Sequence, residues 1–404
     1  MIDFGTEYLL VVFGERRLTG VDWKGGDMTS DPYESLVSAA KSLVNVELLN
    51  GNDLPIDSAA RAYLLANQPA LEQARRALAR KCSVNLRFDE TFFEEHIQHL
   101  SSARNLTRSF ELEIDVAVEA GQFAQAARSS IDLLDVANAI RRGGLMTSLL
   151  YGLCIAGIGV DRLRRSRSVF DADTCRHVIS ALTRIEREQE PFEEVACRDF
   201  QWESSVKDAD ADEGRESAAE PSAELDDDSR EIVEVLHSFM QLPGAARQGI
   251  HRQNDQRLTA LLRMLTVDLM LRAWHHEHRT YPQTLQDLSL GSEFALPVDP
   301  WSLQPFQYRT MPDGFQLYSP GPLQRDHGGI LGPWLQVAVG AADLGLDSLD
   351  LCGSLPPGET FGSVLKGWIA RMWARAASGR FLPASRNQGP FHCPPSGGAG
   401  QKNA

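Results

Sequence analysis

Two runs decide how this chain folds: residues 257–288, RLTALLRMLTVDLMLRAWHHEHRTYPQTLQDL, and residues 296–329, LPVDPWSLQPFQYRTMPDGFQLYSPGPLQRDHGG. In the first, Leu258, Leu261, Leu262, Leu265 and Leu269 recur at three- and four-residue steps, the spacing of one face of an amphipathic helix. Tyr281-Pro282 ends that helix, because the residue before a proline is pushed out of the α region. A short helical turn is expected over 284–288. In the second run Phe306, Tyr308 and Thr310 alternate, Met311-Pro312-Asp313-Gly314 turns the chain, and Phe315 to Ser319 returns. The pattern predicts a β-hairpin in which Phe306 and Tyr308 share a face with Phe315 and Leu317. That face should lie on the leucine stripe, with Gly314 at positive φ.

The order of features is a long helix, Tyr281-Pro282, Thr284-Leu285, L-P-x-D-P-W (296–301), P-F-x-Y-R (305–309), D-G-F-x-L-Y-S (313–319) and D-x-G-G (326–329). This order resembles the globular part of the type II secretion major pseudopilin. It is similar, too, to a set of bacterial proteins that carry such a module behind an unrelated helical region. The resemblance covers about 75 of 404 residues. It implies a long helix followed by a small antiparallel sheet, and it sets Asp326 at the position where pseudopilins bind calcium. Calcium takes six to eight oxygens. The pseudopilin loop continues into further acids, where this chain reads Ile330-Leu331-Gly332-Pro333-Trp334, so a turn aspartate is the alternative reading of Asp326. In pseudopilins the helix also continues upstream into an apolar, membrane-inserted half. Here the preceding residues, LPGAARQGIHRQND (242–255), are polar and contain glycine.

Composition narrows the function classes. Lys plus Arg number 40 against 55 Asp plus Glu, a net charge of −15, with no basic stripe. That excludes nucleic acid as the expected partner, since phosphate neutralisation drives such binding. The six cysteines (Cys82, Cys154, Cys175, Cys197, Cys352, Cys393) form no C-x-x-C pair and read as buried free thiols. The N-terminus, MIDFGTEYLLVVFGERRL, lacks a basic leader, and its apolar run from Tyr8 to Phe13 is too short to span a bilayer. A cytoplasmic location is the expectation, with the cell envelope as the alternative if an anchor lies upstream.

From Asp31 to Trp202 the signals are helical. Asp31-Pro32-Tyr33-Glu34 is a helix start, with Leu36, Val37, Ala40, Leu43, Val44 and Leu48 on one side and Asn50-Gly51 as the stop. One helix is expected after Asp57, another from Pro69, a long one over 90–119, a break at Gly121, and the next helix with Ala126, Ile131, Leu134 and Ala137. The turn at Gly121 resembles one tetratricopeptide unit, but no 34-residue repeat supports it, and an ordinary antiparallel pair is the reading. Residues 143–160 carry no charge; glycines, Thr147, Ser148 and Tyr151 dilute them, so a core helix is preferred to a membrane span. Gly157-Ile158-Gly159 completes no phosphate-binding fingerprint. Helices capped by Asp173 and opened by Pro191 follow. Residues 203–228 then hold eleven acids against two bases, the composition of a solvated linker. A helix is expected over 231–242.

His275, His276 and His278 cluster at the end of the organising helix, and His96 and His99 lie three apart, yet neither set completes a metal motif. Asp299-Pro300-Trp301 reads as a structural turn. No nucleophile elbow, phosphate loop or carboxylate pair for acid–base chemistry stands out. The fold class expected is α+β, predominantly α. Its parts are an α-helical domain (1–202), an acidic flexible linker with a short helix (203–254), a pseudopilin-like α+β module (255–333) and a poorly ordered tail (334–404). In the tail, residues 362–375 form a basic amphipathic pattern that could meet a membrane surface or a partner. The expected function is a non-enzymatic structural or protein-interaction protein with protein partners. A secretion-filament subunit and an enzyme of unrecognised type are the alternatives. No cofactor is expected apart from the calcium candidate at Asp326.

Overall fold

A computed structural model describes residues 31–49, 56–87, 90–213, 244–290 and 294–347. It is predominantly helical, with one small antiparallel sheet, the α+β class read from the sequence. The expected helix over 231–242 and the pattern at 362–375 lie outside the described residues.

Helix α1 (Pro32–Lys41) starts as its residues dictate: the Asp31 carboxylate accepts the Tyr33 amide at 2.8 Å, and proline fills the first turn. It stops earlier than expected. Asn45 takes φ +56, and the Asn67 side chain bonds both Val44 N (2.8 Å) and Val44 O (3.0 Å), fixing the break. A 3-10 turn, Val46–Leu49, follows. Helix α2 (Ser58–Leu78), capped by Asp57, runs straight through Pro69, where a new helix was expected. Pro69 faces solvent, and so does Leu65, whose carbonyl loses its helical partner to the proline, so water can satisfy that carbonyl.

Helices α3 (Glu90–Glu119) and α4 (Phe123–Arg141) form an antiparallel pair about Gly121 at φ +70, and α5 (Met146–Ser166) returns along α4. Two of the three glycines of α5, Gly152 and Gly159, serve packing. A β-carbon on Gly152 would come within 2.9 Å of Ala137 O, and one on Gly159 within 3.0 Å of Ser130 O. By length and composition α5 could cross a membrane, yet 56% of its apolar window is buried among neighbouring helices. Helix α6 (Ala172–Glu188) is capped by Asp171, which accepts Thr174 N at 2.8 Å, rather than by Asp173. Helix α7 (Phe192–Glu213) passes the boundary expected at Trp202 by eleven residues, so the acidic run begins inside a helix.

The organising helix, α8, spans Gly244–His278 and takes in the polar stretch read as lying before it. Arg279 (φ +61) closes it, donating its amide to His275 O at 2.9 Å. Its centre is buried on more than one face. Besides the leucines of the stripe, Ala260, Met264, Val267 and Leu271 are each fully buried. They form a second helical row, spaced by four, three and four. Leu258 and Leu262 line a small cavity together with Leu134 and Ala137 of α4, Gly152, Leu153 and Ala156 of α5, and Ile185 of α6. The start of the leucine stripe therefore faces the helical layer, not the hairpin as expected.

After a 3-10 turn (Leu285–Leu290), strands β1 (Gln307–Met311) and β2 (Gly314–Tyr318) pair with Tyr308 opposite Leu317 and Thr310 opposite Phe315. This register puts Tyr308, Phe315 and Leu317 on one face, as read, and Gly314 takes φ +153. The hairpin seats on the end of α8. Phe315 meets Tyr281 edge-on at 4.9 Å and lies under Arg272 at 5.8 Å, and Tyr308 donates its hydroxyl to Pro282 O at 2.8 Å. The segment expected to be a poorly ordered tail is structured through Asp347. It forms α9 (Trp334–Ala338), exchanges backbone bonds between Ser319 and Leu344, and buries Val337, Ala342, Leu344 and Leu346. One continuous apolar core includes residues of α1 to α6, α8, the hairpin and this last segment.

Candidate functional site

The seam between α8 and the helical layer is clasped by charge. Arg141, 4% exposed, pairs with Asp255, which also accepts Gln189 Nε2 at 3.1 Å. Further along α8, Arg263 meets Glu186 at 2.6 Å, Asp268 takes Arg272 at 2.6 Å and Arg167 at 3.4 Å, and Glu277 meets Arg176. Arg167 also holds Asp347 at 2.7 Å, so the end of the described chain is pinned to the end of α5. The buried charges among these, Arg141 and Asp268, have the close partners that burial demands, and the pairs together fix how α8 lies on the helical layer.

Two buried carboxylates organise the loops beyond the hairpin. Asp299, 1% exposed, accepts Trp301 N (3.1 Å), Ser302 Oγ (3.2 Å) and Ser319 Oγ (2.9 Å). Burial pushes its carboxyl above the usual range, against those hydrogen bonds. The structural role read for Asp299-Pro300-Trp301 holds in this geometry. Asp343, fully buried, accepts the backbone amides of His327 (3.1 Å) and Gly329 (2.8 Å). Asp326, the calcium candidate, is exposed; its Oδ1 accepts Gly328 N at 2.7 Å and the Tyr318 hydroxyl at 3.1 Å. The carboxylate that anchors this loop is Asp343, seventeen residues downstream, in a segment where no sequence signal marked it.

The loops so held carry an unusual share of exposed apolar surface. Five of the eleven large hydrophobic residues exposed in the described chain, Leu303, Met311, Ile330, Leu331 and Val339, fall within residues 294–347. Leu303 is 69% exposed and sits at φ +57, a region that bulky residues avoid. It is kept there by Leu303 N to Asp299 O and Asp299 N to Gln304 O, both 2.9 Å. The strain and the exposure thus fall on the same residue, and the loop holds an apolar side chain out in solvent.

The histidines do not converge. His276 donates to Phe170 O at 2.9 Å, His275 stacks on Tyr281 at 4.6 Å, and His278 stacks on Trp274 at 3.9 Å. His96 bonds Ser148 Oγ at 2.7 Å and stacks on Phe92, while His99 meets Tyr33 at 6.1 Å. Among the described residues no group of three His, Cys, Asp or Glu side chains is placed to hold a metal ion. An open concavity of about 610 Å³ lies between the starts of α4 and α6, lined by Gly121 to Gln125, Val169, Asp171 and Thr174. Its one ionisable group, Asp171, is held below the usual carboxylate range by the Thr174 amide it accepts.

The cysteines divide. Cys82, Cys154 and Cys175 are free thiols, as read, but Cys197 on α7 is disulfide-bonded. Comparison with protein-family models, with curated proteins and with solved structures returns no match to this chain.

Proposed function

We propose that the chain is a non-enzymatic protein-interaction protein, in which a helical platform carries a pseudopilin-like module and presents its apolar loops to a protein partner. The carrying observation is the closure of α8. Its centre is buried from Leu258 to Leu271, and ion pairs clasp it onto α4, α5 and α6. A filament subunit needs the long helix to offer apolar surface to neighbouring subunits. Here that surface is already covered from within the chain, which favours interaction over filament assembly. The exposed loop residues Leu303 and Ile330 supply an apolar contact surface fixed in advance by Asp299 and Asp343, so little ordering cost falls on binding. Its place of work is the cell envelope or the envelope's inner side.

The test is affinity purification of the full chain from its native cells, run beside a Leu303→Asp/Ile330→Asp double variant with the same melting temperature. A specific partner held by the first and lost by the second supports the proposal. An identical set of bound proteins refutes the loop surface. Regular filaments of the purified chain in electron micrographs would favour the subunit reading instead.

A further inference from the structure

We infer that the outer edge of strand β1 is a docking site for an extended peptide of a partner protein, one that sets an acidic side chain opposite Arg309. The inference rests on the interaction reading above, but it uses strand backbone rather than the Leu303 and Ile330 side chains. The sheet has two strands, and β2 takes one side of β1. Met311 pairs with Gly314 across a two-residue turn, so that pair, Arg309 with Gln316, and Gln307 with Tyr318 are the hydrogen-bonded ones. The amides and carbonyls of the residues between them, Tyr308 and Thr310, therefore point away from β2. Among the described residues none of these four groups has a partner. Arg309, Thr310 and Met311 are exposed, which leaves the edge open to solvent.

An open strand edge takes another strand as its ligand, because extended backbone supplies a complement to each outward N–H and C=O. A second copy of this chain fits badly in each antiparallel register centred on the edge. With the two-fold axis at Arg309, the guanidinium meets its own copy in a close pair of like charges. With the axis at Thr310, Tyr308 faces Pro312, which has no amide to give. With the axis at Tyr308, Thr310 faces Phe306, next to Pro305, which already bridges Val298. An acid opposite Arg309 turns the same close pair into an attraction. Arg309 has that charge to spend: it donates to Gly328 O at 3.2 Å, and no carboxylate pairs with it among the described residues.

Strand alternation sets the rest of the ligand. The residues on either side of the acid exchange backbone bonds with Thr310 and Tyr308, and their side chains lie on the face of Tyr308 and Phe315. Apolar or β-branched side chains extend that face. The residue two positions before the acid returns to the Arg309 side and lies against Met311, 47% exposed, so it too is apolar. Arg309 thus has two effects: it keeps copies of the chain apart, and it selects an acidic partner strand.

The probe is the end-blocked pentapeptide Ile-Thr-Glu-Val-Thr, with Ile-Thr-Lys-Val-Thr as its counterpart. Each is titrated into the isotope-labelled full chain while the Tyr308 and Thr310 amides are followed by NMR. The glutamate peptide should move both amides and slow their exchange with solvent, and the lysine peptide should bind about five- to tenfold more weakly. Arg309→Glu should reverse that preference. Thr310→Pro removes an outward amide and leaves the ladder to β2 intact, so it should keep the far-ultraviolet circular dichroism and lose both peptides. These signals report β1 alone, so the loop surface of Leu303 and Ile330 stands or falls separately in its own test. Both amides unmoved at the solubility limit of the glutamate peptide would overturn the inference. So would an Arg309→Glu chain that keeps the wild-type preference, or a dimer in sedimentation equilibrium that Thr310→Pro dissolves.

Discussion

Replacing Leu265 by alanine tests whether α8 unites the molecule. Leu265 is fully buried at the middle of α8, between the row that meets the helical layer and the turns that carry the hairpin. The substitution removes three carbons, a transfer loss of about 2.4 kcal/mol at ~0.8 kcal/mol per methylene. Packed elements on more than one side limit collapse into the space, so a cavity contribution brings the total to about 4 kcal/mol, in the upper half of the ~2–5 kcal/mol range for such changes. With a urea dependence near 3 kcal/mol per molar, the unfolding midpoint should fall by roughly 1.3 M. The assay is urea unfolding followed by tryptophan fluorescence and by far-ultraviolet circular dichroism. The two probes should move together, because one core joins helices and hairpin. Leu65→Ala, at a residue 73% exposed on α2, is the control and should shift neither. An unchanged midpoint in the Leu265 variant, or loss of one probe's transition alone, would refute α8 as the shared platform.

Three further outcomes are expected. Asp255→Ala leaves Arg141 buried without its carboxylate and should cost about 3–5 kcal/mol, whereas Asp173→Ala, removing a carboxylate 91% exposed, should cost under about 1 kcal/mol by the same denaturation measurement. Burial lowers the His96 pKa from 6.5 to about 4, so the unfolded chain takes up a proton that the folded chain refuses until lower pH. Stability is full above pH 6.5 and should fall by about 3 kcal/mol as pH drops through 4, a slope that His96→Gln should remove from the stability–pH curve. Gly159→Ala should destabilise by about 1–3 kcal/mol, since its β-carbon would press on Leu134 and Ser130 O at 3.0 Å. Gly157→Ala, two residues away in open space, should instead stabilise by about 0.5–1 kcal/mol, which thermal melts would separate cleanly.

What the sequence made legible was local and periodic. Asp31 and Asp57 announce their helices through short-range caps, and the alternation around Tyr308 and Phe315 fixes the hairpin register. Signals weighed by composition failed where the surroundings decide. Pro69 reads as a helix start, yet its solvent-facing position lets the helix pass. The stretch 244–255 looks too polar for an organising helix, but Asp255 belongs there because Arg141, 114 residues earlier, needs it. Asp326 attracted notice through its neighbours, while the buried acid that holds the loop, Asp343, becomes visible only when the chain folds back on residues 327–329. Leu303 and Cys197 carry no marker at all in one dimension; the strain of the first and the bond of the second exist only in space.

The contact between Arg167 and Asp347 joins residues 180 positions apart, and α8 draws its lining from both sides of itself in the chain. That has a consequence for synthesis. Contacts at long sequence separation form slowly, and domains tend to assemble as they emerge from the ribosome. When α1 to α8 have been made but β1, β2 and α9 have not, α8 can cover the side that meets α4, α5 and α6, while the Tyr281 and Arg272 end awaits its aromatic lid. For that interval the nascent chain carries an unfinished, sticky end. Slowing translation after residue 290 should therefore raise chaperone occupancy, and stopping it there should leave a product prone to aggregate.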